Sequence, residues 1–341
     1  MGLRLLLVVG ACSDAYRLPS VRSVVRKQHR SGGSALRSSG STTALRSSGG
    51  GGAPAPSPAK LWGVTAAAVV GIGSSAVLAR GVSGAVAPQA IAFWRMAGST
   101  ALLACAPAVR RGLGAMEPRD LRRAVAAGFF LALHFQLFFL SLARTTILRS
   151  TVLVTLVPLW VGVADRFLLG NAVAPRFWPG VALAIAGATL MARSANPVAA
   201  ALPPCVSGDA LAVGAGVVWA ANMLLSRDAR ARVAAPTWQA AVCLSAAALL
   251  LASALASGVA LTGFGARASA LLLAFVLGPQ LVGHQGLDYV IKWLPAPTVA
   301  SLTLLEPVVA SVLAALFLGE LPSRTAALGG LVATMGVGFA L

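Results

Sequence analysis

From Leu61 to the C-terminus the chain is a succession of apolar windows, at 61–80, 88–108, 123–142, 146–165, 177–193, 208–226, 235–257, 268–288, 296–318 and 324–341, separated by short charged patches. A helix rises about 1.5 Å per residue, so roughly 20 residues cross the ~30 Å hydrocarbon core of a bilayer. Lipid offers no partner to a backbone N–H or C=O, so runs of this length are expected to be helices. Barrel strands would be half as long and would alternate in polarity. The composition agrees: 57% of residues are hydrophobic, 11% are charged and mean hydropathy is +0.83, against about 25% charged in an ordinary soluble domain. The fold expected is all-α and polytopic, with ten transmembrane helices.

Charge placement orients these windows. The formal net charge is +18, but no module mixing aromatic and basic residues for nucleic acid is visible, and no nucleic-acid partner is expected. Ten crossings put Lys60, Arg110, Arg111, Arg119, Arg122, Arg123, Arg166, Arg176, Arg227, Arg230, Arg232 and Lys292 on the side of the N-terminus. The opposite side receives Arg80, Arg144, Arg193, Arg267 and Arg324. The excess marks the first side as internal, with both termini there.

Residues 1–59 read as a leader rather than a domain. A short apolar stretch, GLRLLLVVGACSDA, is followed by a segment rich in Arg, Ser, Gly and Ala with no acid after Asp14. The first part resembles a compact signal peptide and the second a transit peptide. The pair is similar to the bipartite leader of proteins imported into complex plastids, so a plastid membrane is the expected destination. A plasma-membrane or endomembrane location is the alternative. Such a segment buries too little to fold.

An internal duplication follows from comparing TVLVTLVPLWVGVADRFLLGN (151–171) with ASLTLLEPVVASVLAALFLGE (300–320). At an offset of 149 residues Pro158 meets Pro307, Gly170 meets Gly319, Gly180 meets Gly329 and Gly187 meets Gly336. The two units are placed at 60–193 and 208–341, joined by a loop at 194–207. Each holds an odd number of crossings, five, so consecutive copies enter the membrane in opposite senses. Inverted repeats of this kind build alternating-access carriers, with the binding site between the halves.

These blocks, with FWRMAGSTALL (93–103) and ALGGLVATMGVGFAL (327–341), resemble the EamA branch of the drug/metabolite transporter superfamily. The resemblance implies a ten-helix carrier of small organic solutes, working by exchange or proton coupling without a cofactor. It places the family's Glu-Pro pair on Glu306-Pro307, its Gly-Glu helix end on Gly319-Glu320, and an early second-span arginine on Arg95. The first half departs from the pattern, with Gly170-Asn171 where Gly-Glu is expected.

Several polar residues inside apolar windows are candidates for the solute and ion pathway. Glu306 is near the middle of its window, where a charge costs roughly 2.5–3.5 kcal/mol or more; it serves substrate contact, proton carriage, or a structural bond to a neighbour. Pro307 and Pro158 each remove a helix hydrogen bond and should kink their helices. Arg95 is an inward ligand or snorkels, and Arg149 is nearer an interface. His134 carries a proton or packs; Gln136, two residues on, points elsewhere. Gln280, His284 and Asp288 recur every four residues and share one face, reading as a cavity wall, and Asn222 adds to them. Windows three, four, eight and nine are thus expected around the pathway. Glu320, at a helix end, is assigned a gating or structural role. Gly180, Gly187, Gly329, Gly330, Gly336 and Gly338 suit close helix packing.

The chemistry of enzymes is not assembled in the sequence. It contains no nucleotide-binding loop, no HExxH or GxSxG pattern, and no spacing of Cys12, Cys105, Cys205 and Cys243 that suggests a metal or disulfide framework. The expected function is secondary transport of a small organic metabolite, an organic anion or zwitterion by the balance of Arg95, Arg149, His134 and His284 over Glu306, with a proton as possible co-substrate. No enzyme activity, metal or cofactor is expected. A membrane scaffold or receptor of the same fold is the alternative.

Overall fold

The computed structural model describes residues 55–82, 84–142, 144–145, 147–195, 206–319 and 321–341; the side chains of 80, 142, 147–149 and 195 fall outside that description. Nearly all of the leader, the loop at 196–205, the side chain of Arg149 and Glu320 therefore lie outside the described residues.

The described residues form helices and connecting turns. They run α1 (Pro58–Val82), α2 (Pro88–Ala104), the short α3 (Pro107–Gly114), α4 (Pro118–Leu142), α5 (Ile147–Val154), α6 (Val157–Val163), α7 (Phe177–Ala195), α8 (Val206–Arg230), α9 (Ala235–Ala256), α10 (Ala266–Phe275), α11 (Gln285–Val290), α12 (Ala296–Leu302), α13 (Glu306–Leu318) and α14 (Arg324–Ala340). Among the described residues seven continuous helical stretches are long and apolar enough to cross a membrane. Large apolar side chains such as Phe167, Leu316 and Phe317 are more than 70% exposed, as expected where lipid replaces water. The protein is a multi-pass integral membrane protein.

Proline sets many of the starts. Pro88, Pro107, Pro158, Pro297 and Pro307 occupy first-turn positions, where the missing N–H has no intrahelical partner to lose. The amphipathic α3 lies between α2 and α4, and Arg110 donates from Nη1 to the carbonyls of Ala104 at 2.7 Å and Cys105 at 3.1 Å, closing the end of α2. Gly170 (φ 68°) and Gly319 (φ 69°) end the stretches containing α6 and α13 in the left-handed region, which explains why glycine stands at both positions of the repeat.

Three helical stretches are irregular. Between α5 and α6 the chain breaks at Thr155–Leu156, before Pro158, and between α12 and α13 it tightens to a 3-10 turn at Thr303–Leu305, before Pro307. Each break has a threonine hydroxyl on a carbonyl three residues back, Thr155 on Val152 (2.9 Å) and Thr303 on Ala300 (2.7 Å). The irregular residues lie just before the two prolines at which kinks are expected. Two π-helical stretches, not singled out in the sequence, add to these: Ala164–Leu168 after α6, and Val276–His284 around Pro279, joining α10 to α11. A proline ring excludes the carbonyl four residues back, and widening the turn relieves the clash.

α7 and α14 pack antiparallel through glycines: a Cβ on Gly180 would lie 2.5 Å from the Ala340 nitrogen, and one on Gly329 would lie 2.8 Å from the Gly187 carbonyl. Gly336 abuts Ala184 and Gly180 in the same seam. Gly330 meets only side-chain atoms at 3.6 Å or more and Gly338 faces open space, so close packing accounts for four of the six glycines proposed for it. α1 meets the π stretch at Gly71 and Gly283 and reaches α13 at Gly73 and Val309.

Candidate functional site

Two polar regions sit at different levels of the bundle. The first is a buried cluster contributed by α2, α4, α8, α9 and the 266–290 stretch. Arg95, only 8% exposed, donates from Nη2 to Gln280 Oε1 at 3.2 Å, and its guanidinium carbon lies 5.4 Å from the Phe135 ring centre and 5.8 Å from that of Phe275. These rings provide cation–π contact that partly replaces lost hydration. The Arg95 Nε is buried without a hydrogen-bond partner. Gln280 continues to Cys243 Sγ at 3.6 Å, which also receives Gln239 Nε2 at 3.4 Å.

Asn222, Gln239, Gln280, His284 and Asp288 line one small space of about 20 Å³ with Trp219 and Met223, room for about one water. The four-residue spacing on the 266–290 stretch thus brings Gln280, His284 and Asp288 to one wall despite the π turn. Asn222 donates to the Ala127 carbonyl at 2.9 Å. The Trp238 indole donates to Ser226 Oγ at 2.9 Å. Trp219 lies between the histidines, its ring centre 5.2 Å from His134 and 5.9 Å from His284, while His134 Nδ1 bonds the Ala215 carbonyl at 3.0 Å. Gln136 turns away and donates to Ser253 at 2.6 Å. Gln239 was not singled out in the sequence; its position near the start of a long apolar helix gave no periodic signal.

The second region is a cavity of about 520 Å³ between the two broken stretches. Ala76 and Val77 of α1, Thr151 and Thr155, Met191 and Ser194 of α7, Pro307, Ser311 and Ala314 of α13, and Ser323 before α14 form its walls. Its described lining carries five hydroxyls and no ionisable side chain. Pro158 shapes the stretch that follows Thr155. Glu306, half-buried, immediately precedes the lining residue Pro307. It makes no direct hydrogen bond or ion pair with Arg95, so the two act on each other only through space. The pathway residues expected from windows three, four, eight and nine are therefore divided. The fourth and ninth border the cavity, whereas the third and eighth join the buried cluster with α2, α8 and α9.

A comparison with known families and folds is consistent with this geometry. The sequence pattern of the EamA-like transporter family matches residues 59–193 and, a second time, residues 206–341. A solved structure, described only as the crystal structure of a protein, superposes with a TM-score of 0.73 at 20% sequence identity. The match covers 83% of this chain and 97% of the other, a similarity of fold. Comparison with curated proteins gives no match.

Proposed function

Because the chain belongs to the EamA-like transporter family, we propose that it is a secondary carrier that moves a small organic solute across a membrane by alternating access. The observation that carries this reading is the 520 Å³ cavity between two helical stretches, each interrupted before a proline. Broken helices leave carbonyls and hydroxyls free to meet a solute where regular helices would not. The proposed topology is ten crossings in two inverted five-helix units. Its support is the double family match, the equal 25-residue lengths of α1 and α8 and of α4 and the 266–290 stretch, and the α7–α14 seam. In that seam the contact Gly180–Gly336 becomes Gly329–Gly187 under the 149-residue offset, as a two-fold relation between the units requires.

The favoured cargo is an organic anion or zwitterion, carried by exchange or with a proton. Arg95, His134 and His284 supply positive or protonatable groups around the buried cluster, and Glu306 beside the cavity is the candidate proton carrier. The same reading makes the protein a carrier and not an enzyme. The test is an untargeted metabolite screen with the purified protein in liposomes, scored for solute accumulated inside. Saturable accumulation of at least one small organic solute is expected. Binding without vectorial movement would point instead to a receptor, and chemical conversion without movement to an enzyme.

A further inference from the structure

The cavity opens among the late residues of α1, α7 and α13, such as Val77, Ser194 and Leu318. The opposite end of the bundle, where α1 begins and α8 finishes, gathers charged contacts. Three arginines within six residues at the close of α8 each grip a different part of the structure. Arg227 pairs with Asp165, in the π turn Ala164–Leu168 that follows α6. Arg230 donates from Nε to the backbone carbonyl of Asp288 at 2.7 Å. Arg232 forms two bonds to Asp120 at the start of α4, at 2.5 and 3.1 Å. The side chains of Asp120 and Asp165 are 3% and 6% exposed, so these are shielded contacts rather than solvated surface pairs. Asn171 adds a bond to Asp165 at 2.6 Å, which gives a local role to the residue that stands where the family pattern has glutamate.

The repeat gives these residues no charged counterparts. Matching the equal-length pairs by position sets Arg227 against Ala79, Arg230 against Val82, Asp120 against Ala268 and Asp288 against Leu140; the 149-residue offset sets Asp165 against Ala314. Ala314 lines the open cavity. One end is thus held by two ion pairs and an arginine–carbonyl bond, while at the other, where α8 begins, the described contacts include Thr145 on Asp209 at 2.9 Å.

We propose that Arg227, Arg230 and Arg232 form a latch that seals the end of the pathway bearing Asp120, Asp165 and Asp288, and that releasing it is the step that opens this end and closes the cavity end. The proposal rests on the carrier reading, but its test does not depend on knowing the solute. The experiment is hydrogen–deuterium exchange on the full-length protein in lipid nanodiscs, comparing wild type, Arg232→Gln, Asp120→Asn and the double variant. Asp120 keeps Arg119 and Arg123 within 4.0 Å when Arg232 is neutralised, so the helix start retains its charge partners. Exchange is expected to rise at least about fivefold around 118–122, 228–234 and 288–293, a modest coupling by the scale of conformational switches. It should fall in the same samples around 188–194 and 311–326. The double variant should change exchange by less than the sum of the single ones, because both changes remove the Arg232–Asp120 contact, while Asp120→Asn also removes the charge facing Arg119 and Arg123. Arg227→Gln should give the same reciprocal pattern and serves if Asp120→Asn does not fold. Loosening at the arginine end without tightening at the cavity end would overturn the latch, as would unchanged exchange at both. Either result leaves the carrier reading to the liposome screen.

Discussion

At the level of single residues, the positions that matter most are glycines in contact and charges in lipid. A side chain on Gly187 would meet the backbone nitrogen of Ala333, whereas one on Gly338 would meet nothing within 4 Å. Gly187→Val is therefore expected to cost roughly 1–3 kcal/mol or more through overpacking, and Gly338→Ala about 0.5 kcal/mol or less. Thermal unfolding in detergent, read side by side on the two variants, would refute this if both moved equally. Glu306→Gln is expected to leave the protein folded and to flatten the pH dependence of transport, because the amide keeps the shape but cannot carry the proton. A pH profile identical to wild type would remove Glu306 from the coupling role. Arg95→Ala is expected to weaken uptake of an anionic solute; Arg95 is buried with an unpaired Nε, so an anion would complete its hydrogen bonding. Unaltered uptake kinetics in a folded variant would reject that role.

Among the elements, the proposed mechanism rests on the interrupted helices. Pro307 occupies the first turn of α13, where its missing N–H opposes no helix bond. Pro307→Ala should therefore change stability by less than about 1 kcal/mol while allowing α12 and α13 to merge. The expected readout is slower solute exchange with an unchanged melting temperature. A large loss of stability would mean that the break is a packing device instead. Pro279 differs, since it lies inside a helical stretch and sets a π turn beneath Gln280 and His284. Both breaks were legible because proline in a long apolar run has few other consequences. The π turn was not, because sequence spacing shows that a proline disrupts a helix and leaves open whether the chain breaks or widens.

For the molecule as a whole, the ten-crossing reading predicts alternating exposure of connecting segments. Single cysteines at Ala115 and Ala231 should be labelled by an impermeant reagent from one side of the membrane, and one at Gly263 from the other, after replacement of the native cysteines. Labelling of Ala115 and Gly263 from the same side would dismantle the inverted arrangement. The apolar windows and their charge bias were readable in the sequence because hydrophobic length and basic flanks act locally along the chain. The α7–α14 seam was only partly readable. The glycine offset related α7 to α14, but that Gly180 packs against Ala340, and Gly187 against Ala333, depends on the two helices crossing antiparallel.

The sequence by itself determined the solvent, the helical class, the family and the positions of the helix breaks, since each rests on composition or on residues close together in the chain. Tertiary structure decided which polar residues meet. Arg95 joins Gln280 across 185 positions and Arg232 joins Asp120 across 112, pairings that helix periodicity cannot encode. It also separated the buried cluster from the cavity, because a residue's depth and neighbours follow from how helices cross and not from where each helix begins.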